Sequence, residues 1–208
     1  MARLLIALAA VLALAGCGAN ADKEIAGGGQ LGGRTLTVYS LTRDPTGTSR
    51  DFVDGEKLAL AQAHGRVGRL IVNFAALDLG ATSASAATAT QRAIEDPQII
   101  AAVVVATPVT VPLLNAAGIL QVAPGGDTRL ARDPDANPSG RRTVAGVLAD
   151  PFVAGLPGFD TPFKRTFGRA ATGQARGGYN AMREILAAIA RAGRRGNDRT
   201  QVVRAYLR

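Results

Sequence analysis

Cysteine, histidine and tryptophan are nearly absent from this sequence of 208 residues. It has one cysteine, one histidine and no tryptophan, and aromatic residues make up only 4% of it. A single cysteine excludes an intramolecular disulfide, and a single histidine excludes the zinc sites built on paired histidines. The H-E-x-x-H, C-x-x-C, G-x-S-x-G and Walker A patterns are also missing. We therefore predict a protein that is not an enzyme and that uses no metal or cofactor.

The one cysteine directly follows a long apolar run at the N-terminus. Arg3 precedes 12 consecutive apolar residues, 4–15, and Cys17 comes two positions later. Twelve helical residues rise about 18 Å, short of the roughly 30 Å hydrocarbon core, so the pattern favours a signal peptide over a membrane span. Residues 14–17, LAGC, resemble the bacterial lipobox, whose cysteine is acylated and becomes the new N-terminus. An ordinary secretory signal peptide with an incidental cysteine is the alternative.

This N-terminus predicts an extracytoplasmic protein, periplasmic or on the cell surface, that lipids on Cys17 anchor to the cell membrane. Residues 18–33 are glycine-rich toward their end and predict a flexible tether between the anchor and the folded part. An α/β lobe is expected at 34–150. A C-terminal segment with amphipathic helices that pack on the lobe is expected at 151–208.

Positive charge is concentrated at the C-terminal end. The net charge is +8, and residues 161–208 hold 11 of the 24 basic residues but only 2 of the 16 acidic ones. Such a segment is able to bind an anionic polymer or anionic lipid, although a solvated helix face would look the same. An exported chain with scattered aromatics lacks the stacking platform typical of nucleic-acid binding, so no nucleic-acid partner is predicted.

Predicted strands and helices alternate along the chain. This order is typical of a doubly wound parallel sheet with helices on both faces, here a single α/β lobe with C-terminal helices. Residues 99–106, IIAAVVVA, are continuously apolar, as expected of a central strand buried on both faces. The other strands are predicted at 34–41, 70–77, 119–123 and 143–148. The helices are predicted at 51–64, 82–95, 108–117, 161–167, 179–192 and 199–207.

Ligands of such sheets bind beyond the carboxyl ends of the parallel strands. The sequence therefore points to four loops as the candidate binding edge. They are 40–49, 78–81, 107–110 and 124–128.

Several stretches together resemble one receptor family. They are 53–62 (VDGEKLALAQ), 112–124 (PLLNAAGILQVAP), 138–143 (PSGRRT), 167–169 (FGR) and 179–183 (YNAMR). In this order they are similar to the branched-chain amino-acid substrate-binding proteins of ABC importers, the leucine/isoleucine/valine type of periplasmic type I receptor. The resemblance extends over nearly all of 34–208. It implies a periplasmic-binding-protein type I lobe, an amino acid as ligand, and ABC permease subunits as partners.

The resemblance also implies ligand-binding residues at the strand-end loops. By position these are Thr128, Gly125, Gly126, Thr107, Ser40 and Thr46.

This chain differs from the family in two places. After about Thr143 it passes within a few residues to the family's C-terminal segment, so most of the second lobe is predicted to be absent. The loop at 106–110 is also shorter than the serine- and glycine-bearing loop with which the family holds a ligand's charged groups.

Two functions are compatible with these features. The first is a lipid-anchored, non-catalytic receptor that delivers branched-chain or related amino acids to an ABC importer. The second is a truncated, non-transporting remnant or a tethered interaction module with the same fold.

Overall fold

The described part of the chain is built around one six-stranded sheet. A computed structural model describes residues 29–123, 130, 144–146 and 158–207. The strands are β1 Thr35–Thr42, β2 Arg66–Val67, β3 Leu70–Asp78, β4 Ile99–Val104, β5 Leu120–Ala123 and β6 Val144–Gly146. The helices are α1 Arg50–Gln62, α2 Ser83–Ile94, α3 Thr110–Ala116, α4 Asp160–Phe167, α5 Gly173–Arg191 and α6 Arg199–Tyr206, with a 3-10 turn at Gly193–Arg195.

The strand order is β2-β3-β1-β4-β5-β6, and every pairing except β2 with β3 is parallel. The chain proceeds from β1 to one side of the sheet and then returns past β1 to build the other side. This reversal confirms the predicted doubly wound α/β fold, a single lobe in the described residues. The sequence missed β2, because two residues and a tight turn at Gly68, with φ of +56°, carry no periodic signal.

Helices cover both faces of the sheet. One face packs against α1, α4, α5 and α6, and the other packs against α2 and α3. All six residues of β4 are buried, as expected of a central strand, with Val103 on the α5 side and Val104 on the α2 side. Burying one such side chain stabilises the fold by about 1.5–3 kcal/mol.

Helices α1 and α5 approach each other closely. A Cβ atom placed on Gly55 would lie 1.9 Å from the carbonyl oxygen of Ala175, and one on Gly178 would lie 2.0 Å from that of Phe52. Only glycine permits backbones this close. The Tyr179 hydroxyl of α5 also donates a hydrogen bond to the side chain of Gln62 at the end of α1.

Helix α5 starts six residues earlier than the sequence predicts. The prediction placed its start at Tyr179, where the amphipathic pattern begins, and the segment before it contains three glycines, at 173, 177 and 178, that lower helix propensity. In the structure the Thr172 hydroxyl caps the helix by accepting from the Ala175 amide at 3.2 Å. Packing against α1 therefore outweighs the unfavourable propensity of the glycines.

The last five residues of the predicted tether, 29–33, are instead held against the folded lobe. The Leu31 amide donates to the Asn197 carbonyl at 2.7 Å, and the Asn197 side chain donates back to the Leu31 carbonyl at 3.0 Å. The predicted signal peptide, the rest of the tether and the residues at 151–157 lie outside the described part. None of the helices in the described ranges combines the length and apolar composition that crossing a membrane requires.

We expect Gly178→Ala to lower the free energy of unfolding by at least about 2 kcal/mol, because the new methyl group overlaps the Phe52 carbonyl. Helix propensity alone predicts the opposite, a gain of about 1 kcal/mol. Urea unfolding monitored by circular dichroism measures the difference. Gly32→Ala is the control, since a Cβ there meets no atom within 4 Å. A Gly178→Ala protein as stable as the parent would contradict the close contact.

Candidate functional site

The loops after β1 and β3 meet at the carboxyl edge of the sheet. The Asp78 carboxylate, at the end of β3, accepts hydrogen bonds from the amides of Gly80 at 2.8 Å and Asp44 at 3.0 Å. The bonds from Gly80 and then Asp44 lower the pKa of the Asp78 carboxyl from its ordinary value, so this exposed group stays ionised at neutral pH. Asp78 thus fixes the two loops relative to each other and places a negative charge at the edge.

Asp44 organises the loop in which Thr46 lies. It has a left-handed backbone with φ of 49°, and its side chain accepts from the Thr48 amide at 2.9 Å. This turn leaves Thr46 exposed near the loop tip. The structure therefore places the Thr46 side chain in solvent at the predicted edge.

The Thr107 hydroxyl is already used by the protein. It accepts from the backbone amides of Thr110 at 3.0 Å and Val109 at 3.3 Å, and it lies 3.1 Å from the Thr110 hydroxyl. These bonds begin α3 directly after the short loop. Thr107 lies at the expected edge, but a ligand would have to compete with local hydrogen bonds for its side chain. Val105, just before it, is 43% exposed and gives the edge an apolar surface.

Ser40 lies inside the lobe rather than at its edge. It is fully buried, two residues before the end of β1, and lies with Val38 on the face of that strand that packs against α1 and α5. Its hydroxyl interacts with the Glu56 carboxyl of α1. Alternation along the strand explains the difference from the prediction: a position two residues from the strand end still faces the helix layer.

Glu56 is a fully buried carboxyl between α1 and β1. Neither of its oxygens has a well-aligned hydrogen bond. The hydroxyl of Thr42, two residues after Ser40 on β1, is also buried without one. Burial raises the pKa of Glu56 well above its ordinary value, and the interactions with Ser40 and Lys57 only partly oppose that rise. In the sequence, Glu56 belongs to an acidic cluster with Asp44, Asp51 and Asp54, which the charge preference of a helix start was enough to explain, so its burial was not predicted.

Replacing Glu56 by the isosteric glutamine should stabilise the protein at neutral pH. Because the folded-state pKa is raised, the favourable contribution of Glu56 is complete below the unfolded pKa of about 4.3 and is lost as pH rises toward the folded pKa. In that window the unfolding free energy of the parent falls by about 1.4 kcal/mol per pH unit relative to Glu56→Gln.

Urea unfolding of both proteins between pH 4.5 and 8 measures this effect. Glu184→Gln, on the exposed face of α5, is the matched control for loss of a carboxylate. If the unfolding free energies of Glu56→Gln and the parent differ by the same amount at every pH in this range, Glu56 is not protonated in the folded state.

Arg169 joins the start of α1 to the C-terminal helices. Its side chain donates to Asp51 at 2.6 and 2.8 Å and to Asp54 at 2.6 Å, and it lies over the rings of Phe163 and Phe167. Asp51 and Asp54 therefore have a structural role. Partial burial acts to raise the pKa of Asp51, but the bonds from Thr172 and Arg169 outweigh it and leave that pKa lowered.

The remaining predicted ligand-binding residues, Gly125, Gly126 and Thr128, lie outside the described residues, as does Cys17. In the described ranges, no three acidic, cysteine or histidine side chains come together as a metal site would require. The structure thus brings the loops of Thr46, Asp78 and Thr107 to one edge and moves Ser40 into the interior.

Comparison with known proteins identifies the fold. No family model matches the sequence, and no curated protein matches it either. Three solved structures match. One, described as a branched-chain amino acid ABC transporter protein from Rhodospirillum rubrum, has a TM-score of 0.63 and 14% identity, with 83% of this chain and 88% of that chain covered.

The second is a leucine-binding protein, LivK, from Thermotoga maritima, with a TM-score of 0.65, 14% identity, and coverage of 82% of this chain and 87% of that one. The third is an ABC transporter substrate-binding protein from Sphaerobacter thermophilus, with a TM-score of 0.63, 11% identity, and coverage of 83% and 85%. The resemblance inferred from the sequence is confirmed at the level of the fold: this chain has the fold of these three proteins.

Proposed function

We propose that this protein is an extracytoplasmic substrate-binding protein of an ABC importer, with a branched-chain or related amino acid as its ligand. The observation that carries the proposal is the fold shared with three solved proteins. One of them is described as a branched-chain amino acid ABC transporter and another as a leucine-binding protein. Binding requires no catalysis, in keeping with the lack of catalytic motifs in the sequence. ABC permease subunits are the partners that this role requires.

The proposed ligand site is the carboxyl edge of the sheet. Helices α1 and α2 both begin at this edge, and the positive ends of their dipoles favour a ligand carboxylate. The ionised Asp78 carboxylate favours an ammonium group at the same edge. Thr46 and Thr128, with the Gly125 and Gly126 backbone, complete the proposed set of polar contacts.

A single lobe should bind such a ligand weakly. Two lobes that close on an amino acid remove it from water, which strengthens every hydrogen bond and ion pair to its charged groups. With one lobe, one side of the ligand stays solvated, and each hydrogen bond then contributes only about 0.5–1.5 kcal/mol net. We expect dissociation constants in the high micromolar to millimolar range, roughly 4–6 kcal/mol of binding free energy.

Leucine, isoleucine or valine at millimolar concentration should raise the melting temperature. At one to ten times its dissociation constant, such a ligand adds about 0.4–1.4 kcal/mol, or roughly 1–6 °C for a chain of this size. Differential scanning fluorimetry against these three amino acids, glycine and glutamate measures the shift and its selectivity. Thr128→Ala should remove the shift without lowering the melting temperature of the ligand-free protein. Thr88→Ala, at an exposed position of α2, should leave the ligand-induced shift unchanged.

A cooperative melt with no shift from any amino acid would overturn the receptor function. The protein would then be a folded remnant or a tethered interaction module, which is the second candidate function. The observation that favours this candidate is the Thr107 hydroxyl, which local backbone amides already occupy at the loop where the family binds its ligand.

We also propose that Cys17 is acylated and anchors the protein to the cell membrane. Several acyl chains give durable anchoring, since each buried methylene adds about 0.8 kcal/mol. Mass spectrometry of protein extracted from membranes should show a mature N-terminus at Cys17 that carries acyl groups. Cys17→Ala should remove the acyl groups and release the folded lobe into the soluble fraction or leave it unprocessed. An unmodified Cys17 in the parent protein would disprove the anchor but not the ligand site.

A further inference from the structure

Five exposed arginines lie at the amino edge of the sheet, opposite the proposed ligand site. We call this surface the basic pole, and it consists of Arg34, Arg66, Arg69, Arg194 and Arg195. Three separate segments contribute to it: the residue before β1, the β2–β3 hairpin and the 3-10 turn after α5. Hydrogen bonds join them, since the Arg34 carbonyl accepts from the Ile71 amide at 2.8 Å and an Arg69 nitrogen donates to the Arg194 carbonyl at 3.3 Å.

The basic pole has an excess of positive charge among the described residues. In the described residues, none of the five arginines forms an ion pair with a carboxylate. Three acidic residues of the described ranges lie at the same edge, Asp198, Asp96 and Glu95, and the five arginines outnumber them. Asp198 accepts from the Gln201 amide at the start of α6, and Asp96 accepts from the Gln98 amide and the Tyr39 hydroxyl. Glu95 is exposed at the end of α2, next to Arg92 on the same helix.

The chain enters the folded lobe at this same pole. Residues 29–33 are held by Asn197 and by the pairing of Gln30 with Asp198, next to the 3-10 turn that bears Arg194 and Arg195. Cys17 precedes Gly29 by 12 residues, so their Cα atoms are separated by at most about 40 Å. The ligand edge lies a further strand length away, roughly 25 Å for the eight residues of β1.

We propose that the basic pole contacts anionic phospholipid head groups and orients the anchored lobe with its ligand edge away from the membrane when no permease is bound. The contact itself rests only on the position of the arginines, whereas its effect on orientation rests on the proposed anchor at Cys17. Interactions of exposed charges are screened beyond about 10 Å at 0.1 M salt and about 3 Å at 1 M salt. The orientation therefore depends on both the anionic lipid content and the ionic strength.

A tryptophan scan tests this orientation, because the natural chain contains no tryptophan. Gly32→Trp places a reporter beside the basic pole at a position with no atom within 4 Å of a new Cβ, and Thr48→Trp places one at the exposed ligand edge. The full chain is reconstituted into phosphatidylcholine vesicles with or without 30% phosphatidylglycerol. All vesicles contain a lipid with a nitroxide on its head group, which quenches nearby tryptophan fluorescence.

In anionic vesicles at 0.1 M salt, we expect the Gly32→Trp reporter to be quenched at least threefold more than the Thr48→Trp reporter. This ratio should fall by half or more in 1 M salt and in vesicles without phosphatidylglycerol. Adding Arg66→Gln, Arg194→Gln and Arg195→Gln to both reporters should have the same effect.

The matched control removes three positive charges elsewhere, through Arg43→Gln, Lys164→Gln and Arg165→Gln, and should preserve the ratio. Thermal melts check that all variants are folded. A ratio that is independent of phosphatidylglycerol and salt, or that falls equally in the control, overturns the proposal.

Flotation of the vesicles separates this result from the anchor. A protein that is not acylated should fail to float with phosphatidylcholine vesicles, and mass spectrometry then shows an unmodified Cys17. The proposal for the basic pole is still tested in that case. The protein without acyl groups must bind the anionic vesicles through the pole alone, and the nitroxide lipid must quench the Gly32→Trp reporter more than the Thr48→Trp reporter. Failure to float with anionic vesicles as well would overturn it.

Discussion

The contact between α1 and α5 is the interaction on which the rest of the lobe depends. At its centre the two backbones lie against each other, since Gly55 and Gly178 each face a carbonyl oxygen of the other helix at a distance that no Cβ permits. This approach brings Arg169 to the acidic groups at the start of α1 and Tyr179 to its end. The C-terminal helices thereby cover the sheet face on which Val38 and Val103 are buried.

The two ends of the parallel sheet have opposite character. At the carboxyl edge, Asp78 carries an ionised carboxylate and fixes two loops through backbone amides. At the amino edge, arginines from three segments lie beside the point where the chain enters the lobe. A parallel sheet produces this separation, because it gathers all strand ends at one edge and all strand starts at the other. The proposed ligand and the proposed membrane contact therefore do not compete for one surface.

Local patterns in the sequence were enough to predict most of the sheet. The apolar run of β4 and the glycine that ends the helix before β5 predicted the bounds of these two strands to within two residues. Periodicity and turn residues are local signals, which is why they sufficed here. Long-range packing was not predictable in this way. The glycines at the start of α5 disfavour a helix until α1 lies against them, and the burial of Ser40 and Glu56 depends on how α1 rests on β1. The local use of the Thr107 hydroxyl followed only from the geometry of the loop.

The long sequence separation between α1 and α5 also determines how the protein reaches its native state. The helix that covers one face of the sheet begins at Gly173, more than 100 residues after the strand that it helps to bury. Contacts this distant in sequence require a large loop to close before they contribute free energy, which slows folding. A nascent chain that ends before α5 would expose the Val38 and Val103 face of the sheet. This face of the sheet therefore gains its α5 cover only after α5 has been synthesised.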